Sequence, residues 1–551
     1  MRYVIGRLLG FFLFIYSPLF GQNEFSIKGN VETNFQYLNS DTIIGAVQPD
    51  SKALLNAYAN VFANYGGFRA GLRLESYLPR IQGYPDRFEG TGLGMRYVAW
   101  GNSFVDVTLG TIYEQFGSGL LLRAYEDRAL GYDNALDGIR LKLTPYKGIT
   151  VKGVYGNQRL SFTGGKIIKS TGVTRGLDVE FSLGEIFKKI EEKELVFNIA
   201  GSFVSKFQKD DNEEFVLPQN VGSYGARMEA MYKGFTLNMD YARKENDPSV
   251  DNGYSYNTGQ AALINLGYSR KGLGILLSAK SVENMSFRSD RTKTLQDLFI
   301  NYLPALTKTH TYNLVATLYP YATQPMGEVA FQGEVIYTVK RGSKLGGKYG
   351  MPIELNFSTA YAPIHHTTGY GMDSSRVLYK ANLFDKSNEK YWQDFNIKIS
   401  RKFNKHFGVS LSYYNIQLNN DISKVSNDAT GIINSHIGVV ELDYKINSKH
   451  ALRAEIQGLF TKKDKGDWAT LVLEYTISPN WFISVIDQYN FGNPDKTRKL
   501  HHIVGAFGYT RESSRIMVSY GRQRAGIFCV GGVCRYVPAS NGLSIMFTQS
   551  F

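Results

Sequence analysis

The 551 residues include 62 Lys and Arg against 49 Asp and Glu, a formal net charge of +13, with 56 Gly, 37 Tyr and 34 Phe but only 4 Trp. A chain this rich in Tyr and Gly, at a mean hydropathy of −0.24, is not a helical membrane protein, because each helical span needs about 20 consecutive apolar residues. The basic residues are spread along the whole chain, which speaks against nucleic-acid binding and for a charged, solvated wall.

Arg2 and Arg7 precede an apolar core from Leu8 to Phe20, and Gly21 is a small residue ahead of Gln22. This is the layout of a secretory signal peptide over residues 1–21, with too short an apolar core for a membrane anchor. No Cys adjoins the cut, so a lipoprotein is not expected. Residues 22–551 read as one unit without a linker. No plug domain precedes the first expected strand near Phe25, which disfavours a TonB-dependent transporter.

From there the dominant period is two. Phe68, Ala70, Leu72 and Leu74 alternate with Arg69, Gly71, Arg73 and Glu75. The next segment is denser in charge: Tyr113-Glu114-Gln115-Phe116, then Gly117-Ser118-Gly119, then Arg123, Glu126, Asp127, Arg128, Asp133 and Asp137, with Arg140 following. A Gly-X-Gly step can cradle a phosphate, but no Lys-Ser/Thr follows it. Glu114, Arg123, Glu126, Asp127, Arg128, Asp133, Asp137 and Arg140 are the candidates for a loop lining a lumen or constriction, where paired charges set up a transverse field. The plainer reading of the same residues is a salt-bridged wall.

Ile139, Leu141 and Leu143 resume the alternation, and a turn at Pro145 to Gly148 leads into Ile149, Val151, Gly153 and Tyr155. Between Tyr224 and Tyr241, Tyr224, Ala226, Met228, Ala230 and Tyr232 face one way, and Arg227 and Glu229 the other. Lys233-Gly234 makes a two-residue turn, and Phe235, Leu237, Met239 and Tyr241 follow. Tyr232 and Phe235 flank the turn, where an aromatic girdle would put them. Arg270-Lys271-Gly272 forms another tight turn.

Pro304, Pro320, Pro325, Pro352 and Pro363 blur the pattern from Ser286 to Lys390. It returns at Phe395, Ile397 and Ile399, turns at Asn404-Lys405-His406, and recurs at Leu452, Ala454 and Ile456 against Arg453, Glu455 and Gln457. Cys529 and Cys534 are the two cysteines, spaced by Val530-Gly531-Gly532-Val533, and in an exported chain they are expected to form a disulfide in the last outer loop. The chain ends on Leu543, Ile545 and Phe547 and a terminal Phe551. This resembles the C-terminal signal strand that the barrel-assembly machinery reads in outer-membrane barrels.

The expected fold is therefore all-β: a single large antiparallel transmembrane β-barrel of about 24 strands, with 22 or 26 as alternatives. A barrel this wide needs filling from inward loops or a partner. The scattered His, including His365-His366 and His501-His502, match no metal spacing, and the acidic run Asp210, Asp211, Glu213 and Glu214 lacks an EF-hand spacing. No nucleophile–base pair, cofactor motif or metal set stands out, so an enzyme is not expected.

The segment from Tyr113 to Gly138 and the Cys529-to-Cys534 loop, with Arg535 and Pro538 after it, resemble an uncharacterised family of large outer-membrane barrels of the Bacteroidota, whose leaders often end just before a Gln such as Gln22. The resemblance implies a fold and an outer-membrane location and supplies no catalytic residues. Three functions remain in view, of which the third, an integral outer-membrane enzyme, is disfavoured because no segment singles out a nucleophile–base pair. One is a channel or porin-like transport protein with a loop-filled lumen, in which Arg69, Arg73, Arg227, Arg453 and Glu455 line a wet path. Another is a non-catalytic accessory or scaffold subunit of an outer-membrane assembly or secretion complex. Expected partners are outer-membrane lipid and lipopolysaccharide, the assembly machinery, and other outer-membrane proteins or lipoproteins, with no nucleic acid.

Overall fold

The computed structural model describes residues 24–370, 377–425, 429–530 and 533–551. Among them, 24 antiparallel strands form one closed sheet. The first strand, Ser26–Asn39, pairs with Ala53–Tyr65 on one side and with the last strand, Ser540–Ser550, on the other. Gly29 and Phe551 exchange two backbone hydrogen bonds of 2.9 Å at the seam, so no edge is left open. The leader expected over residues 1–21 lies outside the described residues.

Alternation along the strands sorts the side chains, and the sorting is inverted relative to a water-soluble protein. Leu72 is 53% exposed while its neighbour Arg73 is 2% exposed; Ile456 is 52% exposed and Gln457 1%. Apolar side chains face out and polar ones face in. An apolar outer band of this extent is a surface for acyl chains to cover. At the strand ends beside the tight turns, Tyr65, Phe104, Tyr146, Tyr232, Phe235 and Trp481 are all exposed and form the aromatic girdle.

The strands Asn220–Tyr232 and Phe235–Lys244 pair as expected, with Tyr232 opposite Phe235. Lys233 and Gly234 take φ values of 47° and 85°, the left-handed pair that matches the twist of a two-residue hairpin. A Cβ on Gly234 would meet the Ser269 carbonyl at 2.3 Å, so the turn needs glycine on two counts.

Tight turns and long connections alternate between the two rims. One rim carries 66–67, 102–104, 147–148, 233–234, 271–272, 403–406, 446–449, 478–480 and 512–513, with longer exceptions at 183–195 and 340–350. The opposite rim carries the long connections, with Gly164-Gly165 as its tight exception. The blurred region also resolves. Gly327–Val339 and Met351–Pro363 are barrel strands, and Pro304, Pro320 and Pro325 fall in the connection 284–326 before them.

Two long connections, 113–135 and 284–326, fold into the barrel, and the hydrophobic core lies there. Phe116, Leu120, Leu121 and Leu122 pack in one cluster with Met285, Phe287, Ile300, Leu314, Val315 and Tyr319. The Arg123 amide donates to the Ile300 carbonyl at 2.8 Å and the Tyr302 amide to that of Gly119 at 2.9 Å, so the two connections are cross-linked. A short helix, Asn313–Leu318, reaches the far wall, where the Leu314 amide donates to the Gln457 side chain at 3.0 Å. Each buried Leu, Ile or Phe contributes roughly 1.5–3 kcal/mol, which makes this filling an integral part of the fold.

Candidate functional site

The inward connection 113–135 carries most of the charged residues singled out from the sequence, and the wall supplies their partners. Arg73 reaches Glu75 at 2.8 Å, Glu126 at 2.7 Å and Asp133 at 3.3 Å. Arg159, from the strand Ile149–Thr163, joins Glu75 at 2.7 Å and Asp133 at 2.8 Å. Arg128 adds bonds to Glu126 at 3.0 Å and to Glu32 at 2.9 Å. The Tyr77 hydroxyl donates to Glu75 at 2.9 Å. Cations and carboxylates are thus matched in a nearly dry cluster, which is the condition for burying charge. Burial lifts the Asp133 carboxyl above its ordinary value, against the pull of Arg159.

The remaining candidates are paired as well. Arg140 binds Glu114 at 2.5 Å and Asp106 at 2.8 Å, and Lys152 binds Glu114 at 3.1 Å. Burial works against the Glu114 carboxylate, but Arg140 and Lys152 outweigh it and hold the carboxyl below its usual range. Asp137 is bridged by Lys169 at 2.5 Å and Arg96 at 3.1 Å. Asp127 accepts the Leu130 amide at 3.1 Å. Arg123 lies between the rings of Tyr125 and Tyr302, 4.1 and 4.0 Å from their centres. The Gly117-Ser118-Gly119 step is occupied by the protein itself, since Asp240 accepts from the Ser118 amide at 3.1 Å and hydroxyl at 2.6 Å.

These pairings revise one expectation. Arg73 and Glu455 are 2% and 5% exposed, and a wet path cannot run past side chains that sealed. Arg73 is locked in the cluster, and Glu455 pairs with Arg453, which also reaches Glu441 at 2.8 Å. Arg227 is half-buried, bonded to Asp178 at 2.6 Å, while Arg69 is exposed and pairs with Asp106.

Sequence reasoning missed the second inward connection and its anchors. Lys280, on the strand Leu273–Glu283, has no exposed surface and binds Glu328 at 2.8 Å, the Pro304 carbonyl at 2.6 Å and the Thr323 hydroxyl at 2.6 Å. Lys244 donates to the Ser286 carbonyl at 2.7 Å, and Lys206 binds Asp247 at 2.6 Å. A lysine at an inward strand position opposite a proline-broken stretch was the available signal. Among the described residues, no three His, Cys, Asp or Glu side chains are grouped to hold a metal. The disulfide expected between Cys529 and Cys534 lies outside the described side chains. The backbone of the hairpin formed by Gly526–Val530 and Val533–Val537 sets the two residues directly opposite each other.

Among the cavities of the lumen, two share Arg524. One, of about 690 Å³, is bounded by Ile43 and Ile44, by Asn490 and Arg498, and by Trp468. A second, of about 420 Å³, lies among Glu32, Gln36, Arg128, Gln523 and Arg535. Arg524 and Ala539 stand close to the junction: Arg524 lines both cavities.

Fold and lumen together define a transmembrane antiparallel β-barrel whose interior is filled by its own connections and charge-matched to its wall. Over residues 2–551 the sequence matches the family described as a family of unknown function (DUF6029), and the chain belongs to that family. No curated protein matches it in sequence. Among solved structures it is similar to the P pilus usher PapC translocation pore, at 10% identity and a TM-score of 0.45, with 95% of this chain and 99% of that chain covered. It is also similar to the siderophore receptor PirA from Pseudomonas aeruginosa, at 9% identity and a TM-score of 0.39, covering 96% and 81%. OccAB3 of Acinetobacter baumannii matches at 9% identity and a TM-score of 0.36, covering 96% and 99%.

Proposed function

We propose that the protein is a porin-like transport protein of the bacterial outer membrane, of the Bacteroidota type, with a lumen narrowed by its own loops. The observation that carries this reading is the space that the filling leaves in the lumen, including a cavity bounded by the long connections of one rim. Charged side chains stand in the lining of both cavities, which a lumen filled only for stability does not need. Export by a leader over residues 1–21 belongs to the same reading. So does insertion by the barrel-assembly machinery through the last strand, with Leu543, Ile545, Phe547 and Phe551, and so does a surrounding of lipid and lipopolysaccharide.

A second reading has its own support. The inward connections share a hydrophobic core with the wall and are anchored by buried ion pairs, as suits a closed scaffold subunit. The purified chain in a planar bilayer separates the two. Discrete conductance steps support transport. A silent barrel that purifies in mild detergent with assembly or secretion subunits supports the scaffold, and would end the transport reading.

A further inference from the structure

Arg524 follows the strand Ser514–Gln523 and turns into the lumen, where it is 8% exposed. Its guanidinium donates to the Thr317 hydroxyl, to the Asn313 side chain at 3.3 Å and to the Ala525 carbonyl at 3.1 Å, all neutral groups. Its Nε is buried without a hydrogen-bond partner, and among the described residues no carboxylate lies within ion-pair distance. Most lumen arginines differ: Arg73, Arg128, Arg140, Arg159 and Arg227 are each bound to acids, while Arg123 lies between two aromatic rings and Arg291 is held by Gln208 and the Pro218 carbonyl. A buried guanidinium lacking a counter-ion is costly unless an anion completes it.

The surroundings point the same way. In the larger cavity Arg524 is joined by Lys465, Arg498 and His502, and no Asp or Glu lines it. Arg498 has its own partner in Asp495 at 3.5 Å. In the smaller cavity the one acid is Glu32, which Arg128 holds at 2.9 Å. Arg535 lines the same cavity, makes no ion pair among the described residues, and keeps its Nε buried without a partner. The amides of Asn34, Gln36 and Gln523 also line that smaller cavity.

We propose that Arg524 and Arg535 form a binding site for small hydroxylated carboxylates, held where the two lumen cavities meet. Guanidinium groups present paired N–H donors that match a carboxylate, and the neighbouring amides suit hydroxyl groups. Asn313 and Thr317, on the short lumen helix, position Arg524 between the two cavities. The inference names a substrate class for the transport reading and rests on it, although binding itself does not require an open pore.

The test uses the full mature chain in detergent micelles, with sodium gluconate as probe and glucose as the uncharged control, read by calorimetry. The quench of Trp468, whose ring lies 5.4 Å from the Arg524 guanidinium, is a second readout. Saturable gluconate binding without glucose binding is expected, weakened at least about tenfold by Arg524→Met and by Arg535→Met. Because Arg524→Met also removes bonds to the lumen helix, Arg535→Met and Arg524→Lys serve as companions, and Arg524→Lys keeps part of the affinity. Equal binding of glucose, no binding to the wild-type chain, or unchanged affinity in both Met variants overturns the site. Gluconate binding with no conductance overturns transport and leaves the site standing; conductance with no gluconate binding does the reverse.

Discussion

Lys280 shows how much of this fold is settled by single charges inside the wall. Its ammonium and the Glu328 carboxylate are both fully buried, and two oxygens of the 284–326 connection complete the shell. Lys280→Met strands an uncompensated carboxylate, and the expected loss is about 3–5 kcal/mol of unfolding free energy. Adding Glu328→Gln removes the stranded charge and should recover much of that loss, although Glu328 also accepts from the Tyr321 hydroxyl at 2.6 Å. Urea titration of barrels folded in lipid vesicles measures both. An unshifted midpoint in Lys280→Met contradicts the buried pair. A second residue ties stability to pH. His365 lies beyond the strand end, and its ring nitrogen is 2.9 Å from Glu283, a bond that raises its pKa above the usual value. A raised folded pKa means that the bond stabilises fully below the unfolded value and fades as pH rises through the folded one. Amide exchange at Tyr379, whose ring stacks on His365 and whose hydroxyl donates to Glu283 at 2.7 Å, corrected for intrinsic rates, should therefore quicken as pH rises from about 6.5 through the raised value. His365→Ala should abolish that difference.

At the scale of the element, the hairpins answer to their turns. Gly234→Val places a β-branched side chain at φ 85° against the Ser269 carbonyl. The strain costs at least about 1–2 kcal/mol, and the next turn loses its neighbour's close approach. The expected result is an earlier urea midpoint without loss of the folded state, whereas Gly201→Ala, where a Cβ meets nothing within 4 Å, should move it little. The same contrast explains what the sequence discloses. Strand faces and turns such as Lys233-Gly234 are local: period two and a left-handed dipeptide suffice to read them. The filling of the lumen is not local. Arg73 meets Asp133 and Glu126 of a connection that leaves the sheet two strands away, and Lys280 meets a carbonyl of a proline-broken connection, so their pairing exists only once neighbouring strands have paired and the connections have folded inward. The charged segment from Glu114 to Arg140 could be picked out by density, but its partners Glu75 and Arg159 lie on ordinary-looking strands. Arg524 is harder still. It sits one residue beyond a strand and carries no pattern, and its meaning comes from the acids that its surroundings lack.

For the molecule as a whole, the inverted burial dictates how substitutions on adjacent residues should behave. Leu72 and Arg73 are neighbours on one strand, the first facing outward and the second sealed in the lumen. In a water-soluble β-protein, an exposed leucine tolerates arginine and a buried arginine is an anomaly that leucine can relieve. Here the outward position faces acyl chains, so Leu72→Arg is expected to cost about 2–4 kcal/mol if it lies near the bilayer midplane. Arg73→Leu leaves Glu75, Glu126 and Asp133 with one fewer guanidinium in a nearly dry cluster, and an expected loss of about 3–5 kcal/mol follows. Thickness of the lipid supplies the discriminating measurement. The Leu72→Arg penalty should shrink in short-chain vesicles, where the midplane is thinner and the guanidinium reaches the headgroups, while the Arg73→Leu penalty should stay the same because it arises inside the protein. Two penalties that respond alike to lipid thickness would mean that the outer band and the lumen are not separate environments, and the membrane-spanning barrel would have to be abandoned.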